Sequence, residues 1–119
     1  MILDRLPPPL WRWAFWLSVL AVLVLALLPG RLPLPSTGWD KSNHALAFLV
    51  MAILGRRAHP RRMAALWWGL FAYGGLIELL QSFTPDRLAE WGDWLADCVG
   101  LGLAWSAMWL ASWNLHRPS

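Results

Sequence analysis

Long apolar runs separated by short polar or proline-rich breaks set the pattern of this chain, and every run has helical rather than strand length. From Trp11 to Leu28 only Arg12 and Ser18 interrupt the apolar character. At 1.5 Å per residue such a stretch is about long enough for the ~30 Å hydrocarbon core of a bilayer, so a first membrane helix is expected over 11–28. Residues 1–10, with Pro7-Pro8-Pro9, read as a short lead-in. Residues 29–39 hold three prolines and two glycines and are expected to form an extended connector. The next uncharged run, Ala45 to Gly55, is short for a span. Taken from Asp40 as one helix, 40–55 reaches about 24 Å; it either crosses a locally thinned bilayer with Lys41 extended to the surface or re-enters. Arg56, Arg57, His59, Pro60, Arg61 and Arg62 make a tight basic turn. A third helix is expected over 63–83 and a fourth over 92–114, with His116 and Arg117 in the tail.

Composition turns these runs into a class. Of the 119 residues 58% are hydrophobic, 14% are charged and 11 are tryptophan, with a mean hydropathy of +0.44. Charged residues are about 25% of an ordinary soluble domain, so the chain is expected to be an all-α membrane protein. One domain over 1–119 is predicted, a compact bundle of four transmembrane helices whose backbone polar groups are satisfied without water. A cleaved signal peptide is the rival reading of the first run. It is not favoured, because no small-x-small site follows Leu28 and Pro29-Gly30 reads as a helix stop. The single cysteine, Cys98, lies in an apolar run and is expected to pack rather than react.

Charge supplies an orientation. With the N-terminus cytoplasmic, Arg5, Arg12, Arg56, Arg57, Arg61, Arg62 and Arg117 lie inside with Asp4, seven basic residues against one acidic. Arg31, Lys41 and Arg87 then lie outside with Asp40, Glu78, Asp86, Glu90, Asp93 and Asp97, three against six. That is the positive-inside pattern, so both termini are expected to be cytoplasmic. The high pI, near 10.0, therefore reports topology and lipid contact rather than nucleic acid, and no nucleic-acid partner is expected. The tryptophans at 11, 13, 16, 67, 68, 109 and 113 fall at inner span ends as an aromatic belt, and His59 is expected to be solvated or lipid-facing.

This topology brings the rare polar residues to the outer surface. Asp40 and His44 are spaced i, i+4; Glu78, Gln81 and Ser82 i, i+3, i+4; Asp93, Asp97 and Gly100 i, i+4, i+7. Each helix thus offers one polar stripe, and Glu78 and Asp97 are expected at comparable depth. Ionisable groups at mid-membrane cost roughly 2.5–3.5 kcal/mol each, so they mark a protein-facing site. Three readings stay open. The set fixes helix register by pairing. It binds a phosphate or carboxylate through Lys41 and Arg87, with Trp39, Trp91 and Trp94 at the rim. Or His44 with Glu78, Asp93 or Asp97 performs acid/base chemistry. These four are of metal-ligating types, yet no HExxH motif or paired Cys/His spacing is present, so no metal and no cofactor are expected. Gly74-Gly75 and the series Ala96, Gly100, Ala104 are expected to let the third and fourth helices approach closely.

The ordered set Asp40-Lys41-x-x-His44, Gly75-x-x-Glu78-x-x-Gln81, Arg87, Asp93, Asp97 and Gly100 resembles the VanZ-like family of small bacterial membrane proteins, over roughly residues 36–110. Members often carry asparagine where this chain has Asp97. The resemblance implies a multi-pass protein of the bacterial inner membrane. It also implies Asp40, Lys41, His44, Glu78, Gln81, Arg87, Asp93 and Asp97 as the ligand-binding set. The family is named for a protein linked to teicoplanin resistance, which implies a role in glycopeptide resistance or the cell envelope. Membrane lipids, a lipid-linked cell-wall precursor or a glycopeptide are the partners that follow.

Overall fold

In the computed structural model the described residues form four helices and no strand, in the order α1 (Pro8–Leu27), α2 (Asp40–Ala58), α3 (Met63–Gln81) and α4 (Trp91–Leu115). The structure describes residues 7–27, 40–83 and 91–115, and only the backbone of Asp40, Lys41, Trp91, Asn114 and Leu115. Most of the lead-in, the connector expected over 29–39, Arg87 and the tail with His116 and Arg117 lie outside the described residues.

The helix boundaries follow from local chemistry. α1 begins three residues earlier than the apolar run, at Pro8. Proline fits a first helical turn, where its missing N–H is one of the donors that has no partner within the helix, and Leu10 N donates back to Pro7 O at 3.0 Å. α2 runs one turn past Gly55, with His59 N donating to Gly55 O at 2.8 Å. Pro60 then stops it, and a tight turn closed by Arg62 N to His59 O (3.1 Å) reverses the chain. α3 ends at Gln81, two residues before the expected limit, in a turn where Phe83 N reaches Leu80 O at 3.1 Å.

Three of these helices are long and apolar enough to cross a membrane: α1, α3 and the Gly92–Trp113 part of α4. α2 is not, because Asp40, Lys41, His44, Arg56 and Arg57 bracket its short apolar centre. Its place in the bundle makes physical sense of that composition. α2 packs against all three other helices, most extensively on α4 and α1, whereas α1 and α4 meet only through α2 and α3. A helix sheathed by its neighbours needs less lipid-compatible surface than one on the outside.

The distribution of side chains is inverted relative to a water-soluble protein. Leu17 and Leu20 on α1 are each 56% exposed, Leu79 on α3 50% and Leu103 on α4 54%, while Glu78 is 0% and Asp97 1% exposed. Apolar surface outside and carboxylates inside suit a lipid solvent. Between them lies a core of Phe48, Met51 and Ala52 from α2, Leu70 and Ile77 from α3, and Leu101 and Ala104 from α4.

Two close approaches set the geometry. A Cβ on Gly100 would stand 2.2 Å from the carbonyl oxygen of Ala45, so α4 lies backbone-to-backbone on α2 there. The small series on α4 was expected to serve contact with α3, but Gly100 faces α2 instead. Gly74 and Gly75 do admit α4: Cβ atoms there would meet Asp97 Oδ2 at 2.8 Å and the Trp94 ring at 2.9 and 3.1 Å.

Candidate functional site

The Gly100–Ala45 contact carries the site with it. His44 precedes Ala45, and Asp97 lies one turn before Gly100, so the backbone approach brings their side chains together. His44 Nδ1 and Asp97 Oδ1 are hydrogen-bonded at 2.9 Å, the ring nitrogen donating when Asp97 is ionised. Its other ring nitrogen, Nε2, stands 3.6 Å from Asp93 Oδ2. Asp93 and Asp97 are four residues apart, hence on one face of α4, and a single imidazole spans them.

Glu78 completes the set from α3. One ligand-type atom from each of His44, Glu78 and Asp93 lies within 4.8 Å of the others. Three helices therefore contribute to one polar cluster near the α2 start, the α3 end and the α4 start. Burial grades it: Asp97 is 1% and Glu78 0% exposed, whereas the side chains of His44 and Asp93 keep 19% and 12%. Asp97 Oδ2 is buried with no hydrogen-bond donor among the described residues. It is sealed under α3 by Gly74 and Trp94, and Trp94 Nε1 ties that seam by donating to Phe71 O at 2.9 Å.

The other residues singled out by sequence fall differently. Gln81, expected among the ligand-binding residues, donates Nε2 to Ala26 O at 2.8 Å. That carbonyl belongs to the last turn of α1, where backbone oxygens lack helical partners, so the amide serves as a cap supplied by a neighbouring helix. Arg87 and the side chains of Asp40 and Lys41 lie outside the described residues. Trp94 acts at a helix–helix seam rather than at an open rim.

The opposite end of the bundle is basic and aromatic. The Arg57 guanidinium lies 5.5 Å from the Trp11 ring centre, and Trp67 stacks near Trp105 at 5.5 Å. Trp13 (66% exposed) and Trp68 (73%) point outward, as an interfacial belt requires. His59, expected to be solvated or lipid-facing, is half-buried. It packs edge-on to Phe15 and Trp16 at centroid distances of 6.1 and 6.2 Å, and Nε2 accepts a hydrogen bond from Trp16 Nε1 at 3.3 Å. A groove of about 580 Å³ opens here between α1 and α3, bordered by Arg12, His59, Arg62 and Tyr73, away from the carboxylates.

Comparison with protein-family models, with curated proteins and with solved structures returns no match for this chain. The chemistry of the cluster must therefore be argued from its own atoms. An imidazole held at Nδ1 by Asp97, with Asp93 near Nε2 and Glu78 close by, suits proton transfer or cation binding. Anion recognition would need the cationic side chains of the segments outside the described residues.

Proposed function

We propose that this chain is a small VanZ-like protein of the bacterial cytoplasmic membrane, and that its polar cluster binds the polar part of a lipid-linked envelope molecule. A phospholipid headgroup, a cell-wall precursor or a glycopeptide is the class of ligand. In this reading all four helices cross, both termini are cytoplasmic, and the cluster faces outward. One observation carries it: His44, Glu78, Asp93 and Asp97 converge from three helices inside an otherwise lipid-compatible bundle. The segregation of Arg12, Arg56, Arg57, Arg61 and Arg62 to the other end supports the orientation. At 19 residues α2 is about 28 Å long, which supports a crossing protected by its neighbours.

The test is native mass spectrometry of the purified protein beside Arg87→Lys, which keeps the charge and removes the guanidinium fork. A co-purified lipid or precursor on the wild type, lost in the variant with an unchanged melting curve, is the expected result. Equal retention removes the anion-binding role from Arg87. Orientation is read by single cysteines at Ser36 and Arg61 in a Cys98→Ala background. Labelling of both from outside intact cells by an impermeant reagent would sink the topology.

A second reading, acid/base chemistry on a lipid-linked substrate, is favoured by the 2.9 Å contact of His44 with Asp97. A carboxylate that orients an imidazole is the arrangement by which a general base is held ready. Glu78→Gln separates the two readings: binding retained and turnover lost supports catalysis, whereas binding chemistry alone gives no turnover in either form.

A further inference from the structure

The tautomer of His44 decides what its outward nitrogen can do. With the Nδ1 proton directed at Asp97, the neutral ring carries its lone pair on Nε2, the nitrogen 3.6 Å from Asp93 Oδ2; a protonated ring directs an N–H at each carboxylate instead. The neutral tautomer thus sets two ligand-type atoms side by side, and a divalent cation between them would engage both. The spacing is longer than an N–H···O hydrogen bond, which spans about 2.7–3.2 Å. It is close to the edge of a coordination tetrahedron, about 3.4 Å when metal–ligand bonds are about 2.1 Å. Glu78 supplies the third donor within 4.8 Å, from a side chain with 0% exposure.

We propose that His44 Nε2, Glu78 and Asp93 hold one divalent first-row transition-metal ion, with zinc the best match, and that Asp97 is the positioning residue for the His44 ring. The donor set is one imidazole and two carboxylates, which suits zinc and, less tightly, manganese. Three protein ligands leave a fourth position open, the pattern of sites that act on a bound water or ligand rather than purely structural ones. Asp97 plays the part that a carboxylate commonly plays behind a metal-bound histidine, fixing tautomer and ring orientation. Its own placement is enforced by the Gly74 surface over Oδ2, which leaves it little freedom to turn. Ion binding is read on the protein alone and stands apart from the lipid-linked ligand proposed above.

The experiment uses full-length protein purified in detergent through a tag without histidines, stripped with chelator and titrated with zinc chloride by calorimetry. One ion per chain is expected. Glu78→Gln and Asp93→Asn should each weaken binding more than 100-fold, Asp97→Asn by about 10–100-fold, and His59→Gln not at all. X-ray absorption at the zinc edge on the wild type keeps the test decisive if a variant misfolds: one imidazole with oxygen neighbours is expected. A shell with two or more imidazoles, affinity unchanged in Glu78→Gln and Asp93→Asn, or no stoichiometric binding by the wild type would each overturn the site. The last result would leave the carboxylates neutralised by protons or by the chain's own cations.

Discussion

The two ends of the bundle each hold a histidine, and they solve opposite problems. At one end His44 lies among Asp93, Asp97 and Glu78, between the helices, with a carboxylate at each of its two ring nitrogens. At the other His59 is wedged against Phe15 and Trp16 and accepts a hydrogen bond from an indole. The cationic side chains there, Arg12, Arg56, Arg57, Arg61 and Arg62, stay exposed. Exposed arginine at a membrane interface keeps its solvation. A carboxylate with 0–1% exposure keeps none, and its persistence requires compensation by a proton, a cation or a hydrogen-bond network. The basic charge of one end is therefore found on the outside of the helices, and the acidic charge of the other between them.

Histidine replacement breaks that comparison most sharply. His44→Ala leaves Asp97 buried without its imidazole, and removal of one partner from a buried charged network costs on the order of 3–5 kcal/mol. His59→Ala removes edge-on aromatic contacts and one indole hydrogen bond, a loss of about 0.5–1.5 kcal/mol. Unfolding in mixed micelles followed by circular dichroism should rank the two in that order by a wide margin. Equal losses would mean that the cluster around His44 is no more consequential than an aromatic seam.

Much of this organisation was legible in the sequence. Apolar runs bounded by Pro29-Gly30 and by Pro60 gave the four helices within a turn or so, and i, i+4 spacing with alternating helix direction brought His44, Glu78, Asp93 and Asp97 to one end. The division of labour among them was not legible. Glu78 and Asp97 are both buried, but Glu78 groups with Asp93 and His44, while Asp97 is hydrogen-bonded to His44 Nδ1 under Gly74. Which of two carboxylates one turn apart lies behind a ring depends on helix rotation by tens of degrees, and a run of apolar residues does not encode that. Gln81 shares a stripe with Glu78, and the resemblance placed it in the ligand-binding set. The signal missed was the α1 C-terminus, whose last-turn carbonyls need donors from elsewhere. Gly100 was read as small, and correctly so, but its partner across the interface follows from which helix is central.

Glycine replacement on α4 sharpens the comparison along the helix itself. Gly100→Ala puts a methyl group 2.2 Å from the Ala45 carbonyl oxygen, which is backbone and cannot turn aside. α2 and α4 must separate there, an overpacking cost of about 1–3 kcal/mol, and the His44–Asp97 contact one turn away lengthens with them. Gly102→Ala meets nothing within 4 Å and gains helix propensity, so a change of up to about 1 kcal/mol in the stabilising direction is expected. Melting curves of the two variants should therefore move in opposite directions. If Gly100→Ala also stabilises, the backbone approach that positions the site is wrong.

The smallest expected effect lies at the basic end and is told apart by salt rather than by size. Arg57 stands over Trp11 at 5.5 Å, both at the bundle surface, and an exposed cation–π contact contributes about 0.5–1 kcal/mol. Arg57→Ala removes that contact, and a loss well below that of His44→Ala is expected at low ionic strength. Mobile ions screen exposed charges within about 10 Å at 0.1 M and about 3 Å at 1 M, so its electrostatic part should fade across that range. His44→Ala perturbs charges that salt does not reach, and its larger loss should persist at 1 M. Unfolding of both variants and the wild type at the two salt concentrations measures the contrast directly. A His44→Ala loss that fades with salt as the Arg57→Ala loss does would place the carboxylate cluster in contact with bulk solvent. The distinction between the two ends would then be one of sequence composition and not of burial.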